Sequence, residues 1–284
     1  MSHILCLPTE FALPQGNIAA LQNEHKDDQE PILALHGWLD NAASFIPLIQ
    51  NIPTVNWTAV DLPGHGASFH RPAHTYYHFI DWVSDLVSLI KMHFKSPIVI
   101  VGHSLGGMLA TVLAGLYPEL VKKLVLIDAA GLVTQEPSEG VQQLRQALDS
   151  RQMNTKQSKT FSLPAAVKAR MQSGDIAQPS AELLVKRSVI EVEGGWQWRS
   201  DKRLYSRSPI RLSEQQAQSI IESIHAPTLM CLASQGYPSI KQNFDKFRHC
   251  YQNLIKVDVT GHHHCHMDNP SETALAIRNF ITKV

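Results

Sequence analysis

A chain of 284 residues with 25 basic and 25 acidic side chains carries no formal net charge, and 44% of its residues are hydrophobic. This balance excludes a disordered chain and the basic stripe of a nucleic-acid binder, and the length suffices for one large α/β domain or two modest ones. No stretch approaches the roughly 18 uninterrupted apolar residues of a spanning helix, and nothing points to a membrane surface as a partner. The N-terminal MSHILCLPTEFALPQGN has no basic start, long apolar run or small-residue cleavage site, so no signal peptide is expected. Cys6, Cys231, Cys250 and Cys265 are scattered without a CxxC pair and read as free thiols in a reducing cytoplasm.

In chain order, Leu5 to Leu13 and Ile18 to Gln22 read as strands around a turn at Pro14-Gln15-Gly16. Pro31 to His36 and Asn56 to Asp61 are short apolar runs of buried-strand type. Tyr76 to Phe94 spaces Phe79, Val83, Leu86, Val87 and Ile90 as a helix does. PIVIV at 97–101 is the clearest strand, Leu105 to Leu116 is helical and stops before Pro118, and KLVLI at 123–127 is the next strand. From about Gly131 to Ser223 no strand-like run occurs; the segment is polar and helix-like, with Pro164, Pro179, Pro209 and Gly194-Gly195 as breakers. Strand character returns at Pro227 to Ala233, then a helix from about Ser239 to Cys250, a strand at Leu254 to Val259, and a helix from Ser271 to Ile281. Alternating strands and helices predict a mostly parallel sheet covered by helices on both faces. The core then comprises residues 1–130 and 224–284, with 131–223 a helical insert.

Residues 97–107 read PIVIVGHSLGG: a strand, then Gly102-His103-Ser104-Leu105-Gly106, then a helix. This is the spacing of a nucleophile elbow, G-x-S-x-G. The serine must sit on a sharp strand-to-helix turn, and side chains flanking it would strike neighbouring backbone, so small residues are required there. The turn also aims a helix N-terminus at developing negative charge. Three further segments flank the elbow: His36-Gly37-Trp38, DLPGHG at 61–66, and GHHHCHMDNP at 261–270.

In this order the motifs resemble the α/β-hydrolase superfamily over nearly the whole chain. HGWLDNAASF (36–45), GGWQWRSDKRL (194–204) and the HHxHxD pattern at 263–268 resemble its serine hydrolase-like proteins. The resemblance implies an α/β-hydrolase fold in which the insert is a cap. It implies that the backbone N–H groups of Trp38 and Leu105 form the oxyanion hole, and that Ser104 is the nucleophile. Setting HMDNP at 266–270 against the family's H-L-E-x-P makes His263 the base, with His262 and His264 in the same loop as its rivals. The family commonly carries its acid in a G-x-x-D turn after the strand at 227–233. Here that turn reads Ala233-Ser234-Gln235-Gly236, without a carboxylate. Some members place the acid where Asp128 ends the strand after the nucleophile, and Asp128 is therefore assigned the role of orienting His263.

Asp61 and His65 are read as loop hydrogen-bonding residues, and His103 as a packing residue. Trp196 and Trp198 are candidate substrate-binding residues of the cap, with packing as the alternative, and Arg199 and Arg203 belong to a solvated face. The histidine cluster has neither HExxH nor paired cysteines, so no metal or other cofactor is expected. The resulting expectation is a cytoplasmic serine hydrolase acting on a small to medium ester through an acyl-enzyme. Thioester, lactone or carbon–carbon cleavage by the same residues, or a non-catalytic ligand-binding protein of this fold, are the rivals.

Overall fold

The computed structural model describes residues 6–95, 97–153 and 159–282. β1 (Leu7–Leu13) and β2 (Gly16–Gln22) form an antiparallel hairpin with Leu13 opposite Gly16; Leu5, expected to open the first strand, lies outside the described residues. β3 (Pro31–Leu35) leads through the short helix α1 (Ile46–Asn51) to β4 (Asn56–Val60). Helix α2 (Phe79–His93) precedes β5 (Ile98–His103), α3 (Leu105–Leu116) follows it, and β6 (Val121–Ile127) completes the first half. In α2 the buried residues Trp82, Val83, Leu86, Val87, Leu89 and Ile90 fall on one stripe. Asp81 in its first turn and Lys91 and His93 in its last complement the helix dipole.

The insert contributes α4 (Gly140–Met153), α5 (Leu163–Gly174), α6 (Gln178–Ser188), the strands β7 (Val189–Val192) and β8 (Gly195–Trp198), and α7 (Glu214–Glu222). The β7–β8 hairpin corrects the sequence expectation of an insert without strands. VIEV and GWQW are too short for a periodic signal, and of the glycine pair that reads as a breaker Gly194 sits in their turn, with φ of 84°, while Gly195 opens β8. The chain ends with β9 (Thr228–Gln235), α8 (Pro238–Phe247), β10 (Leu254–His262), the single turn α9 (Cys265–Asp268) and α10 (Pro270–Thr282). β10 runs three residues beyond the expected Val259, its register shifting between Val259 and His262.

The eight core strands order as β1-β2-β4-β3-β5-β6-β9-β10. β2 meets β4 antiparallel, and from β4 to β10 every pairing is parallel. Alternation along the central strands builds two cores. Ile98, Ile100, Leu124 and Leu126 join residues of α2, α3 and α7 on one face. Val99, Val101, Val125 and Ile127 join residues of α1 and α10 on the other. Burial on both faces is why these strands are continuously apolar. The chain leaves β3 for β4 on one side and returns to lay β5 on the other. This switch opens a crevice at the carboxyl ends of β3 and β5, where ligands bind in open α/β sheets.

A buried carboxylate fastens α6 to the loop after β4. Asp61, fully buried after β4, accepts from Arg187 Nε of α6 at 3.0 Å to each carboxylate oxygen. It also accepts the backbone N–H groups of Ala42 at 2.7 Å and Ala67 at 2.8 Å. Asp61 is thus the loop anchor expected from the sequence. Asp61→Ala leaves a guanidinium and two amides without their partner, and should lower the unfolding free energy by about 3–5 kcal/mol. Urea denaturation measures this, and a loss below about 1 kcal/mol would show that Arg187 is re-solvated without cost.

Candidate active site

Three strand ends converge. The β5–β6 register sets His103 opposite Ile127, so Ser104 and Asp128 are the first residues beyond adjacent strands, and Ser104 N–H donates to Ile127 O at 3.2 Å. Both turn sharply there, with φ of 50° at Ser104 and 39° at Asp128. A non-glycine residue in that region costs on the order of 1–3 kcal/mol and persists only where the surroundings impose it. At Ser104 the surroundings are plain: a Cβ at Gly106 would collide with the carbonyls of Leu35 and His36, so the helix start is pressed against the end of β3.

His263 follows β10, and its Nδ1–H donates to Asp128 Oδ2 at 2.6 Å, so Nε2 is the ring nitrogen turned away from that carboxylate. The other carboxylate oxygen of Asp128 accepts from Ala233 N–H at 3.1 Å. A Cβ at Gly236 would stand 2.6 Å from both carboxylate oxygens, so the turn after β9 seats the acid by having no side chain there. Of the neighbouring histidines, His262 pairs with Asp175 of the insert at 2.8 Å and His264 turns to Asp40 at 3.2 Å; neither reaches Asp128. The Ser104 hydroxyl makes no hydrogen bond to a described side chain; nucleophile–base bonds commonly close only around substrate.

The peptide after β3 is held in one orientation. His36 Nε2 accepts from Leu62 N–H at 2.9 Å, which puts the ring proton on Nδ1, and Nδ1–H donates to Gly37 O at 2.7 Å. Asp40 N–H donates to the same carbonyl at 3.1 Å. In a planar trans peptide the Trp38 N–H then points the opposite way. Trp38, Ser104 and Leu105 line one cavity. The Leu105 N–H, in the first turn of α3, has no helical acceptor.

Beneath His263 lies a buried network that sequence reasoning missed. His103 Nε2–H donates to the His263 backbone carbonyl at 3.0 Å, and the two rings lie 4.6 Å apart. The residue before the nucleophile therefore ties the elbow to the loop of the proposed base. Asp40, His103 and His264 bring their ligand-type atoms within 4.8 Å of one another. The cation among them is Arg170 of α5, which donates to Asp40 Oδ1 and whose guanidinium lies 3.1 Å from His264 Nε2. Burial alone would raise the Asp40 pKa, but His264, Arg170 and His103 hold its carboxyl well below the usual range.

Burial pushes His65 and His103 down to about 3, and lowers His36 and His266 as well. The His65 and His103 rings are therefore neutral in the folded protein, whereas an unfolded chain protonates them below about pH 6.5. Their contribution to stability is therefore complete above that pH and is lost as pH falls toward 3. Stability should fall between pH 6.5 and 5 by about 1.4 kcal/mol per unit for each such histidine once the unfolded form is protonated. Urea midpoints over this range measure it; a flat profile would contradict it.

The cavity holding Ser104 has a volume of about 540 Å³, with Tyr77, Trp82, Leu132 and Leu204 among its walls. Trp196 and Trp198 are not among them, which corrects the expectation that they line the substrate pocket. Both belong to the hairpin: Trp196 bridges to Phe161 and faces a separate cavity between α5 and α6, and Trp198 packs 5.0 Å from the Phe161 ring. Arg203 is not a free surface cation but is bound to Asp201, with Arg203 Nε donating at 3.1 Å to each carboxylate oxygen.

A family model described as the alpha/beta hydrolase fold matches residues 30–220. A serine hydrolase-like protein of Danio rerio is 30% identical over 266 residues, covering 88% of this chain and 81% of that protein. The crystal structure of the hypothetical protein PA1622 from Pseudomonas aeruginosa superposes with a TM-score of 0.89 at 31% identity, covering 97% of this chain and 99% of that one. The thioesterase domain from the curacin biosynthetic pathway shares the fold, with a TM-score of 0.81 at 22% identity over 96% of this chain and 99% of that one. The parallel sheet, the serine elbow and these matches agree, and the chain belongs to the alpha/beta hydrolase fold family, among its serine hydrolase-like proteins.

Proposed function

We propose that the protein is a serine esterase cleaving a carboxylic ester of a small to medium substrate through an acyl-enzyme. The observation that carries this reading is the 2.6 Å bond from His263 Nδ1 to Asp128 at the strand ends that also present Ser104. Ser104 Oγ attacks the ester carbonyl while His263 Nε2 takes its proton. Asp128 holds the ring in the required tautomer and stabilises the imidazolium. The N–H groups of Trp38 and Leu105 receive the oxyanion, and His36 is the positioning residue that turns the first of them. Collapse breaks the carbonyl–oxygen bond to the alcohol, which leaves with the proton from His263. Water, deprotonated by the same nitrogen, then releases the acid and restores Ser104.

Residues 131–223 act in this reading as the cap over the elbow, with residues 1–130 and 224–284 as the hydrolase core. Arg170 and Arg187 fasten two cap helices to the core. Four unpaired cysteines fit a cytoplasmic protein, and among the described residues no helix is long and apolar enough to cross a membrane.

The test is a series of p-nitrophenyl esters of rising acyl length together with labelling by a fluorophosphonate. Turnover of at least one ester, with the label on Ser104, is expected. Absence of both would overturn the esterase reading and favour a ligand-binding role for the same cavity.

A further inference from the structure

The cavity of Ser104 is graded from floor to mouth. Its floor is apolar and buried: Trp82 is 6% exposed, Leu105 8% and Leu132 2%. Its rim is open, with Tyr205 53% and Ile210 75% exposed. On that rim stand Arg207 and Arg211, and no acidic residue lines the cavity. This is unusual in a chain whose positive and negative side chains are equal in number.

The other arginines of the insert near the site are neutralised. Arg170 has Asp40, Arg187 has Asp61 and Arg203 has Asp201. Arg207 instead donates through Nη1 to the neutral Gln146 Oε1 at 2.5 Å, and among the described residues it meets no carboxylate. The Arg211 side chain has no hydrogen bond or ion pair among the described residues, and it is exposed on the cavity wall. Two exposed arginines without acid partners thus stand among the lining residues of a largely apolar cavity, and arginine binds carboxylate or phosphate oxygens in a planar, two-pronged way.

We propose that the substrate carries an anionic group separated from its scissile carbonyl by an uncharged spacer, and that Arg207 and Arg211 are the residues that select it. The inference rests on the hydrolase reading above and names the substrate class of that same site. The anion has two possible sources with one chemistry. It stands at the far end of the acyl chain, as in a half-ester of a dicarboxylic acid, or on the leaving group, as in the phosphates of a coenzyme A thioester.

Two matched pairs distinguish the sources: p-nitrophenyl hydrogen adipate against p-nitrophenyl hexanoate, and hexanoyl-coenzyme A against the neutral hexanoyl N-acetylcysteamine thioester. Each pair is assayed with the full chain and with Arg207→Gln, Arg211→Gln and Arg211→Glu. The intact protein should prefer the anionic member of one pair by about tenfold or more in kcat/KM, the discrimination expected of one charge-assisted contact. The preference should be carried mainly by KM and weaken with added salt. It should shrink toward one in the glutamine variants and invert in Arg211→Glu. Turnover of the neutral members without any preference in either pair overturns this proposal and leaves the hydrolase reading standing. So does a preference that survives all three substitutions. No turnover of any member and no fluorophosphonate label on Ser104 would remove both.

Discussion

Ser104→Ala should lower kcat on any ester that the protein hydrolyses by about a millionfold, with KM changed only a few-fold. Deleting the hydroxyl removes the covalent route altogether, and what remains is the rate at which the oxyanion donors and bound water work without a nucleophile. The variant should fold normally, because alanine and serine tolerate the 50° φ of the elbow about equally and Ser104 Oγ anchors no described side chain. A circular dichroism melt matching the parent, together with loss of the fluorophosphonate label, separates loss of chemistry from loss of structure. Retention of more than about one part in a thousand of kcat would place the nucleophile elsewhere.

Asp128→Asn should reduce kcat by about 10⁴ while leaving the backbone in place. The reason lies in the proton on the ring. Asp128 accepts from His263 Nδ1–H, so Nε2 is free to take the serine proton. An amide in the same place presents N–H to Nδ1, the ring keeps its proton on Nε2, and the base faces the nucleophile with nothing to accept into. Substrate affinity does not depend on the tautomer, so the loss should appear in kcat. Pairing this change with Ser104→Ala should add almost nothing, since residues that act as one unit lose their effect together. A loss under about tenfold for Asp128→Asn would show that another group orients His263, and the triad would need a different acid.

Much of this site is local in sequence. The elbow is a short motif between a strand and a helix, and both elements appear where their apolar periodicity puts them. Asp128, the proposed acid, is legible for a less direct reason: the turn after β9 lacks a carboxylate, which leaves Asp128 as the available one. Asp40 carries no such signal. It sits in a loop of ordinary polar character, and its partners Arg170 and His264 lie 130 and 224 residues away, so only the folded chain reveals it as a buried charge. The orientation of Trp38 N–H is equally hidden, because it depends on which nitrogen of His36 is protonated, and Leu62, 26 residues on, decides that. The two tryptophans of GGWQWRSDKRL mislead for the opposite reason. Aromatic residues in an insert suggest a pocket, but a hairpin of two four-residue strands uses them for its own packing.

The bare backbone at Gly236 bears on how such a site can change over time. Gly236 lies in the turn after β9, and a Cβ there would stand 2.6 Å from both oxygens of the Asp128 carboxylate. A single methyl group would already crowd that carboxylate, and a second carboxylate would put two like charges side by side, one of which would have to remain protonated near neutral pH. The two positions therefore exclude one another in this backbone.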